Sequence, residues 1–518
     1  MKKIALVLIV LIGYYTKAQE VTVQKGGIFK DTKKNSCLLF SLEPENGGLV
    51  TIRTYNNPLT KKIKFYYIQY FNEDLSLVKE ATYEVGDNLI KNAFIKNNQI
   101  HLIEYELEKK SGNISFNAVS ADLKNLEFTK KNLLNISKKK QKKYYNYAFF
   151  GIPISDYSQK DKNYEGEVVL SKNENYFVIN FDVNNKKKES HLVFVFKSNF
   201  EKVYEQLIQI NIKDKLFTYN SIAVDDEDGT VYFLGKYFEN NSNKPKKKRA
   251  VNFHFELYKV DANGQSNNRF KSSNKYISSL ELVKYKNHLA CLGLYGKKDL
   301  TTSGVCLFNI NQKTLQIEIE KYNPFSEQFL TDKFGNKKKL KKRAVKNGLD
   351  NITLNNIHVM ENGDLIVYAE EFYTKTILNG NGSSHTYLNY DDILCLRMNK
   401  EGDLKWSRNI NKSQKRSINS SYSAITVGEN AYIIINCADK MKKISGDRLE
   451  FKQTIPLNSN LYRVKIDKEG TVDYQKIIDA KESEVYYKVI DGIENLTNKT
   501  IILTGENGYK SRILKLQF

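Results

Sequence analysis

The stretch Asp392–Lys405 reads DILCLRMNKEGDLK, and a closely similar stretch, Asn460–Asp473, reads NLYRVKIDKEGTVD. A third, Phe255–Gln265, reads FELYKVDANGQ. In each of them a strand of alternating apolar and polar residues is followed by a tight turn that contains Gly, and then by the start of a second strand. A pattern that returns in this way along a chain predicts one supersecondary unit stacked many times.

A four-strand unit surrounds this pattern. Eight apolar runs mark its second strand, and most of them are too continuous for a half-exposed strand. These runs are Leu49–Thr54, Ile100–Tyr105, Tyr176–Phe181, Val231–Tyr237, His288–Tyr295, Leu365–Glu370, Ala431–Cys437 and Thr500–Thr504. Long helical periodicity is missing throughout. The chain is therefore predicted to be all-β, a β-propeller of four-stranded antiparallel blades, with eight blades favoured and seven as the fallback count.

The two ends of the chain are predicted to close the ring. The last unit has only three strand candidates, Val485–Ile493, Thr500–Thr504 and Arg512–Phe518. Near the other end, Glu20–Gln24 (EVTVQ) is a strand candidate that belongs to no unit. If it pairs with the last unit, it supplies the missing fourth strand and joins the two ends of the ring.

Residues 1–18 have the features of a secretory signal peptide. Lys2 and Lys3 precede the apolar run Ile4–Ile12, and small residues stand near Ala18. The run is too short to span a membrane, and no other segment approaches the length of a membrane helix. We therefore expect an exported protein with a single propeller domain, residues 19–518, in the periplasm, on the outer-membrane surface or outside the cell.

Two units resemble known bacterial repeats. Ala223–Gly235 (AVDDEDGTVYFLG) with Leu257–Gly264, and Asp391–Trp406 (DDILCLRMNKEGDLKW), are similar to the SBBP and quinoprotein-like β-propeller repeats. The resemblance implies a secreted propeller. Quinoprotein dehydrogenases carry a Trp in each blade, whereas this chain has a single Trp, Trp406, so no quinone and no other cofactor is expected. The Lys- and Asn-rich composition is similar to that of proteins from AT-rich Gram-negative bacteria.

The long connections are predicted to share one face of the disc. In a four-stranded blade, the loops between the second and third strands and the connections between blades lie on the same side. The five longest connections all belong to these two types: Leu133–Gly166, Glu239–Ala250, Asn323–Asp350, Tyr373–Asn389 and Ala438–Ser459. Long loops on a rigid scaffold are where binding residues concentrate.

Basic runs fall in the same connections of this chain, whose formal charge is +22. The predicted binding residues are Lys138, Lys139, Lys140, Lys142, Lys143, Lys246, Lys247, Lys248, Arg249, Lys337, Lys338, Lys339, Lys341, Lys342 and Arg343. Shorter runs occur at Lys186–Lys188, at Lys244 and at Lys440, Lys442 and Lys443. A basic face attracts polyanions, and lysines favour diffuse contact over bidentate recognition. The alternative is that these runs are solvated loop segments of a Lys-rich chain.

The cysteines and histidines give weak signals. Cys291 and Cys306 lie on neighbouring predicted strands, where either a disulfide or a pair of buried thiols is consistent with the sequence. No cysteine or histidine spacing indicates a metal site. His385, Tyr387 and Tyr390 lie in one long connection, where a base and an acid for lyase chemistry could be placed. No other catalytic constellation is evident.

The sequence therefore favours an exported, non-catalytic binding or scaffold propeller at the bacterial cell envelope, monomeric on its own. Its basic loop face would bind an anionic polymer or an envelope protein. The alternative function is a propeller-fold lyase or hydrolase that acts on acidic polysaccharide.

Overall fold

A computed structural model describes most of the chain. The described residues are 21–31, 36–45, 47–57, 63–86, 88–141, 166–183, 185, 188–242, 246–247, 250–270, 275–297, 301–378, 384–415, 420–439, 442–445 and 448–518. The expected signal peptide, residues 1–18, lies outside this part, so export stays a prediction.

Among the described residues, eight sheets of four or more strands are arranged in a ring, which confirms an eight-bladed β-propeller, and two further sheets have only two strands each. Two short strands, β1 (Thr22–Lys25) and β2 (Phe29–Lys30), precede the first complete blade. Blade 1 contains β3 (Ser36–Leu42), β4 (Leu49–Asn56), β5 (Ile63–Phe71) and β6 (Leu77–Glu84). Blade 2 contains β7 (Leu89–Lys96), β8 (Gln99–Leu107), β9 (Ile114–Asp122) and β10 (Thr129–Ile136). Blade 3 contains β11 (Glu167–Leu170), β12 (Tyr176–Asp182), β13 (Lys188–Lys197) and β14 (Lys202–Lys213).

The next two blades include short additional strands. Blade 4 contains β15 (Phe217–Val224), β16 (Val231–Phe238), a small hairpin of β17 (Lys246–Lys247) and β18 (Ala250–Val251), and then β19 (Phe253–Asp261) and β20 (Gly264–Phe270). Blade 5 contains β21 (Tyr276–Tyr285), β22 (His288–Gly296), the short β23 (Thr301–Thr302), β24 (Gly304–Ile310) and β25 (Ile317–Pro324).

Two helices separate blade 5 from blade 6. They are α1 (Glu327–Phe334) and α2 (Lys338–Asn347), and the short β26 (Leu349–Asp350) follows them and pairs with β23. Blade 6 contains β27 (Ile352–Val359), β28 (Leu365–Leu378), β29 (Ser384–Met398) and β30 (Leu404–Lys415). Blade 7 contains β31 (Ser423–Val427), β32 (Asn430–Cys437), an inserted hairpin of β33 (Lys442–Ser445) and β34 (Arg448–Lys452), and then β35 (Asn460–Ile466) and β36 (Val472–Ile478).

Blade 8 is built from both ends of the chain. Its inner strand is divided into β37 (Tyr486–Tyr487) and β38 (Ile493–Asn495), followed by β39 (Thr500–Asn507) and β40 (Lys510–Gln517). The outer position is taken by β1 and β2, which both pair antiparallel with β40. Thr22 is opposite Gln517, and Phe29 is opposite Ser511. The predicted closing strand, Glu20–Gln24, is thus confirmed with a small shift in its bounds.

Apolar residues of adjacent sheets fill the space between the blades. The second strands are buried on both faces, as their continuous apolar sequences predict. Polar anchors add hydrogen bonds between blades. Tyr204 of blade 3 donates from its hydroxyl to the carbonyls of Gly229 and Val260 in blade 4, at 2.8 and 3.0 Å. Trp406 of blade 6 donates from Nε1 to the Lys468 carbonyl of blade 7 at 3.1 Å.

The connection Asn323–Asp350 is not a loop, although the sequence predicts no helix there. Helix α1 begins after Ser326, whose Oγ accepts a hydrogen bond from the Phe329 amide at 3.1 Å. The helix ends at Gly335, whose φ of 58° suits a residue without Cβ. Both helices are too short to show a clear helical period, and α2 consists mainly of charged residues, so neither gives the pattern of a core helix.

Two further connections are also more ordered than the sequence predicts. In Tyr373–Asn389 the ladder of β28 and β29 continues beyond the blade as a long hairpin. In Ala438–Ser459 the hairpin of β33 and β34 leaves blade 7, and β34 pairs parallel with β30, the outer strand of blade 6. Blade 6 thereby becomes a six-stranded sheet.

The disulfide considered for Cys291 and Cys306 is not formed, and both buried thiols are free. Cys306 is opposite Gly293, and Cys291 is opposite Phe308, so the two cysteines are diagonal neighbours. Diagonal Cα atoms in such a pair lie about 7–8 Å apart, beyond the roughly 4.4–6.8 Å that a disulfide spans.

Among the described residues, no helix has the length and apolar character needed to cross a membrane.

Leu514 tests the closure of the ring, because its fully buried side chain lies in the strand that pairs with β1. We expect Leu514→Ala to lower the free energy of unfolding by about 2–5 kcal/mol, since it removes buried apolar contacts and leaves a cavity. Urea unfolding followed by circular dichroism measures this. Val78→Ala is the control, because Val78 is exposed. Equal, small losses in both variants would contradict the described packing of blade 8.

Candidate binding face

The blade topology defines two faces of the disc. We call the side with the connections between blades and between second and third strands the loop face. The opposite side, with the turns that join first to second and third to fourth strands, is the turn face. Two of the ordered insertions, α1 with α2 and the β33–β34 hairpin, arise from connections of the loop face.

The turn face is rich in acidic residues. The turn between β15 and β16 alone carries Asp225, Asp226, Glu227 and Asp228. Others follow the same rule: Glu73, Asp74, Glu127, Glu174, Glu201, Asp261, Glu361, Asp364, Glu401, Asp403, Glu429, Asp467 and Glu469. Fewer basic residues lie in these turns, namely Lys124, Lys172, Lys286, Lys313, Lys400, Lys468 and Lys499. The charge of the protein is therefore not spread evenly between its faces.

Helix α2 presents the largest described group of adjacent basic residues on the loop face. Lys337 at its N-cap and Lys338, Lys339, Lys342, Arg343 and Lys346 within it are all exposed, and none forms an ion pair with a described residue. Ala344 is its one buried residue. The predicted binding residue Lys341 differs from these, because its Nζ lies 2.6 Å from Glu327 Oε1 on α1. Lys341 therefore helps to fix the two helices together.

The second described basic group is Lys138–Lys140, a single 3₁₀ turn after β10. All three side chains are exposed, and none is paired with a described carboxylate. The turn is held by its backbone and by a neighbour: the Lys138 amide donates to Asn113 Oδ1 at 3.0 Å, and Gln141 Nε2 donates to the Gly112 carbonyl at 2.8 Å. A fixed backbone thus carries three free ammonium groups.

The remaining predicted basic residues are only partly covered by the described chain. Lys246 and Lys247 form β17, of which only the backbone is described. Lys142, Lys143, Lys248 and Arg249 lie outside the described residues, as do Lys186, Lys187, Lys244 and Lys440. Their part in the loop face stays a prediction.

A groove of about 840 Å³ lies on the outer wall of the disc, where α1 and the β33–β34 hairpin meet blades 6 and 7. Its lining is mainly polar and includes Asp332, Arg408, Asn411, Arg448 and Tyr474. Gly335 and Asn336 form one lip and lead directly into α2. The basic helix therefore begins at the edge of the groove.

Asp332 is the centre of the contacts that form this groove. Its carboxylate accepts two hydrogen bonds from Arg408, at 2.6 and 3.1 Å, and one from Gln328 Nε2 at 2.8 Å. Arg448 donates to the carbonyls of Asp332 and Lys333 at 2.5 and 2.8 Å. Both arginines of the groove are thus used to hold α1 between blade 6 and the insertion of blade 7.

Beneath α1, a buried ion-pair network occupies the loop-face end of blade 6. Lys412 Nζ, fully buried, lies 2.5 Å from Glu370 Oε1, and Ser421 donates to the other oxygen of Glu370 at 2.8 Å. Burial raises the pKa of Glu370 and lowers that of Lys412, as expected for charges removed from water. Both side chains of the pair are buried among the described residues, and the geometry is that of a structural ion pair.

Lys333 of α1 extends this network. Its Nζ lies 2.7 Å from Glu371 Oε2 and 2.8 Å from Asp392 Oδ2. Burial alone would lower the pKa of Lys333, but the carboxylates of Asp392 and Glu371 outweigh it and raise the pKa. Both carboxylates lie where the ladder between β28, β29 and β30 has its bulges. The bulges turn these acidic side chains toward the helix that they bind.

The three weak catalytic candidates do not form a described site. His385 and Tyr387 lie in the long hairpin, opposite Ile377 and Lys375, and only their backbone is described. Tyr390 is half-buried, and its ring packs against Phe372 with 5.1 Å between centroids. The lyase alternative that uses His385 and Tyr387 therefore stays a prediction.

The central channel opens on the turn face through a second concavity of about 570 Å³. Basic and acidic residues line it together, among them Lys172, Lys499, Glu361 and Glu429. Its histidine, His358, is held by Thr426 Oγ1 at 3.0 Å and by Glu494 Oε1 at 3.1 Å. This concavity has lining residues of both charges, and both nitrogens of its histidine already have hydrogen-bond partners. It therefore shows no clear preference for one class of ligand.

Sequence reasoning missed the residues that position the insertions. Asp332, Lys333, Glu370 and Lys412 come together from three different segments, α1, β28 and β30. The only sequence signal is the presence of charged residues inside otherwise apolar strands, as at Glu370 in Leu365–Glu370. Such a residue is rarely buried without a partner, but the sequence does not identify the partner.

Comparisons with known proteins show the fold only. No family model matches the chain, and no curated protein matches it. Among solved structures, the Dos1 propeller is 7% identical, with 95% of each chain covered and a TM-score of 0.45. The β-propeller domain of the Trilobed protease from Pyrococcus furiosus is 11% identical, with 88% of this chain and 98% of that chain covered and a TM-score of 0.36. The polysaccharide lyase Uly1 is 9% identical, with coverages of 97% and 93% and a TM-score of 0.39. The resemblance to SBBP and quinoprotein-like repeats stays a prediction.

Breaking the buried pair tests its role as an anchor. We expect Lys412→Met to lower the free energy of unfolding by about 3–5 kcal/mol, because Glu370 is then buried without its counter-charge. Urea unfolding measures the loss, and adding Glu370→Gln to Lys412→Met should restore part of it.

Lys510→Met is the matched control, because Lys510 is half-exposed and pairs with Glu484 at 2.8 Å on the surface. Removing a surface pair of this kind should cost at most about 1 kcal/mol. A Lys412→Met variant as stable as Lys510→Met would show that the buried pair does not hold the insertion in place.

Proposed function

We propose that this protein is an exported, non-catalytic propeller that binds an anionic polymer at its loop face. The observation that carries the proposal is the set of exposed basic residues of α2 and of Lys138–Lys140, which have no carboxylate partner among the described residues. The acidic turn face supports it further, because an anionic chain would be attracted to one side of the disc and repelled from the other.

The chemistry of these residues indicates the class of ligand. Almost all of the exposed cations are lysines, whose ammonium groups act as point charges and do not select a planar bidentate acceptor. They are carried on a helix and a turn with fixed backbones, so binding requires little ordering of the chain. A flexible polymer with repeated phosphate, sulfate or carboxylate groups fits a surface of this kind better than a small ligand does.

The groove next to α2 offers a place for the uncharged parts of such a polymer. Tyr474 is partly exposed there, and the amides of Asn409 and Asn411 lie along its wall. The arginines of the groove are engaged in holding α1, so the free charge lies on the helix and the polar contacts lie beside it. We place the main contact at α2 and the edge of this groove.

The first test uses a short DNA duplex as a polyanion of known salt response. Affinity measured by fluorescence anisotropy should fall steeply between roughly 50 and 200 mM salt, because bound cations release counter-ions from the polymer. The variant Lys338→Gln, Lys339→Gln, Lys342→Gln, Arg343→Gln should weaken binding and reduce the slope of log affinity against log salt by about 1 for each contact removed. Gln keeps the helix propensity of α2 nearly unchanged.

The matched control removes the same number of positive charges from the turn face. Lys124, Lys313, Lys400 and Lys468 are exposed in the turns between third and fourth strands. Changing all four to Gln should leave both the affinity and the salt slope close to those of the unchanged protein. If the two variants lose affinity equally, the effect comes from net charge and the proposed face is wrong.

An acidic polysaccharide is then tested as a competitor and as a substrate. Polyuronate should displace the duplex, and no unsaturated uronate should form, as followed by ultraviolet absorbance. Formation of unsaturated ends that is lost in His385→Ala would favour the lyase alternative. Attachment to envelope extracts that does not respond to salt would instead favour a protein partner.

A further inference from the structure

Four polar side chains converge at the loop-face end of blade 3. Asp182 and His191 are direct cross-strand partners on β12 and β13, and Glu189 follows the same face two residues before His191. Ligand atoms of Asp182, Glu189 and His191 all lie within 4.8 Å of one another, and all three residues are buried. Asn180, two residues before Asp182, lies behind the imidazole.

The imidazole of His191 is oriented by this arrangement. Its Nδ1 lies 3.1 Å from Asn180 Oδ1, an acceptor, so Nδ1 carries the proton. In the neutral ring Nε2 then carries a lone pair. Nε2 lies 3.0 Å from Glu189 Oε1 but forms no hydrogen bond with a described residue. The ring is fixed from the other side by Phe233 of blade 4, with 4.7 Å between centroids.

Two lone pairs at this separation repel each other unless a cation or a proton lies near both. Ligand atoms bound tetrahedrally at about 2.0–2.2 Å to one ion lie about 3.3–3.6 Å apart. Nε2 and Oε1, at 3.0 Å, would have to separate by only about half an ångström to bind the same ion. An amide oxygen that accepts from Nδ1–H is also a usual partner of a metal-bound histidine.

The next blade provides an internal comparison. His254 is the second residue of β19, the third strand of its blade, and His191 is the fourth residue of β13, the third strand of blade 3. There both nitrogens are bonded, Nδ1 to Glu239 at 3.1 Å and Nε2 to Glu256 at 3.3 Å, and Arg269 contacts Glu256 at 2.9 Å. Burial alone would raise the pKa of Glu256, but hydrogen bonds from His254, Tyr258 and Arg269 lower it to about 2.

Blade 3 differs at its histidine. In blade 4 both imidazole nitrogens have hydrogen-bond partners, whereas Nε2 of His191 forms no hydrogen bond with a described residue. This buried nitrogen lies in the group formed with Asp182 and Glu189, which is the position that a shared ion would need.

We propose that Asp182, Glu189 and His191 bind a divalent transition-metal ion of the Zn²⁺ class, and that Asn180 orients the imidazole by accepting a hydrogen bond from Nδ1. One imidazole and two carboxylates are ligands that such ions accept. The site lies where β12 ends and against blade 4, so the bound ion stabilises the loop-face end of blade 3. This site is independent of the basic surface that we propose for polymer binding.

The test uses the full-length mature protein, treated with a chelator and dialysed. Titration with Zn²⁺ by calorimetry should show one equivalent bound per chain, and the bound ion should raise the temperature of unfolding. Co²⁺ at the same site should give visible d–d absorption. His191→Gln should abolish stoichiometric binding and the Co²⁺ spectrum, and Asn180→Leu should weaken Zn²⁺ binding by about 10–100-fold.

His254→Gln is the matched control, because it removes a buried, carboxylate-paired histidine from the neighbouring blade. This variant should bind one equivalent of Zn²⁺ as before. Glu189→Gln gives a second measure if His191→Gln folds poorly, as judged by circular dichroism. Failure of the unchanged protein to bind Zn²⁺, Co²⁺ or Mn²⁺, or equal binding in His191→Gln, or equal loss in His254→Gln, would overturn the assignment.

Discussion

The pairing of β1 with β40 is the constraint on which the rest of the structure depends. A ring of sheets is held mainly by packing between neighbours, and each sheet buries both faces only when the ring is complete. When Thr22–Lys25 is paired with β40, blade 8 packs on both blade 7 and blade 1. The ring is then closed, and each connection stays on the loop face or the turn face. The separation of acidic turns from basic connections follows from that closure, because an open arc of sheets would not hold its loops in one plane.

The sequence was sufficient for the blades because their signals are local. Continuous apolar runs such as Val231–Tyr237 and turns such as Asn399–Asp403 depend on residues within a few positions of one another. They predicted the strand order and favoured a count of eight over seven, and the structure confirms eight. The helices were missed for the same reason. In α2 the charged residues outnumber the apolar ones, and only contacts with α1, such as that of Lys341 with Glu327, explain why the segment is helical.

The candidate sites divide in a similar way. The blade topology determines which face carries the connections with the lysines, so this face could be predicted. The ion pair of Lys341 with Glu327 could not be predicted, because it depends on how α1 and α2 pack. The residues around His191 illustrate a different limit. Asp182 and His191 are nine positions apart and meet only because β12 and β13 pair in one particular register. No spacing rule for metal ligands on helices or tight loops describes a cross-strand pair, and the orienting amide of Asn180 is visible only in three dimensions.

The parallel pairing of β34 with β30 links two blades that would otherwise only pack against each other. Arg448–Lys452 belongs to blade 7 by sequence and to blade 6 by hydrogen bonding, and it covers an edge strand that would otherwise be open to other chains. Opening either blade locally therefore requires breaking backbone bonds of the other. In amide hydrogen exchange this part of the ring would behave as one cooperative unit, twice the size of a single blade, and protection would drop in both sheets together.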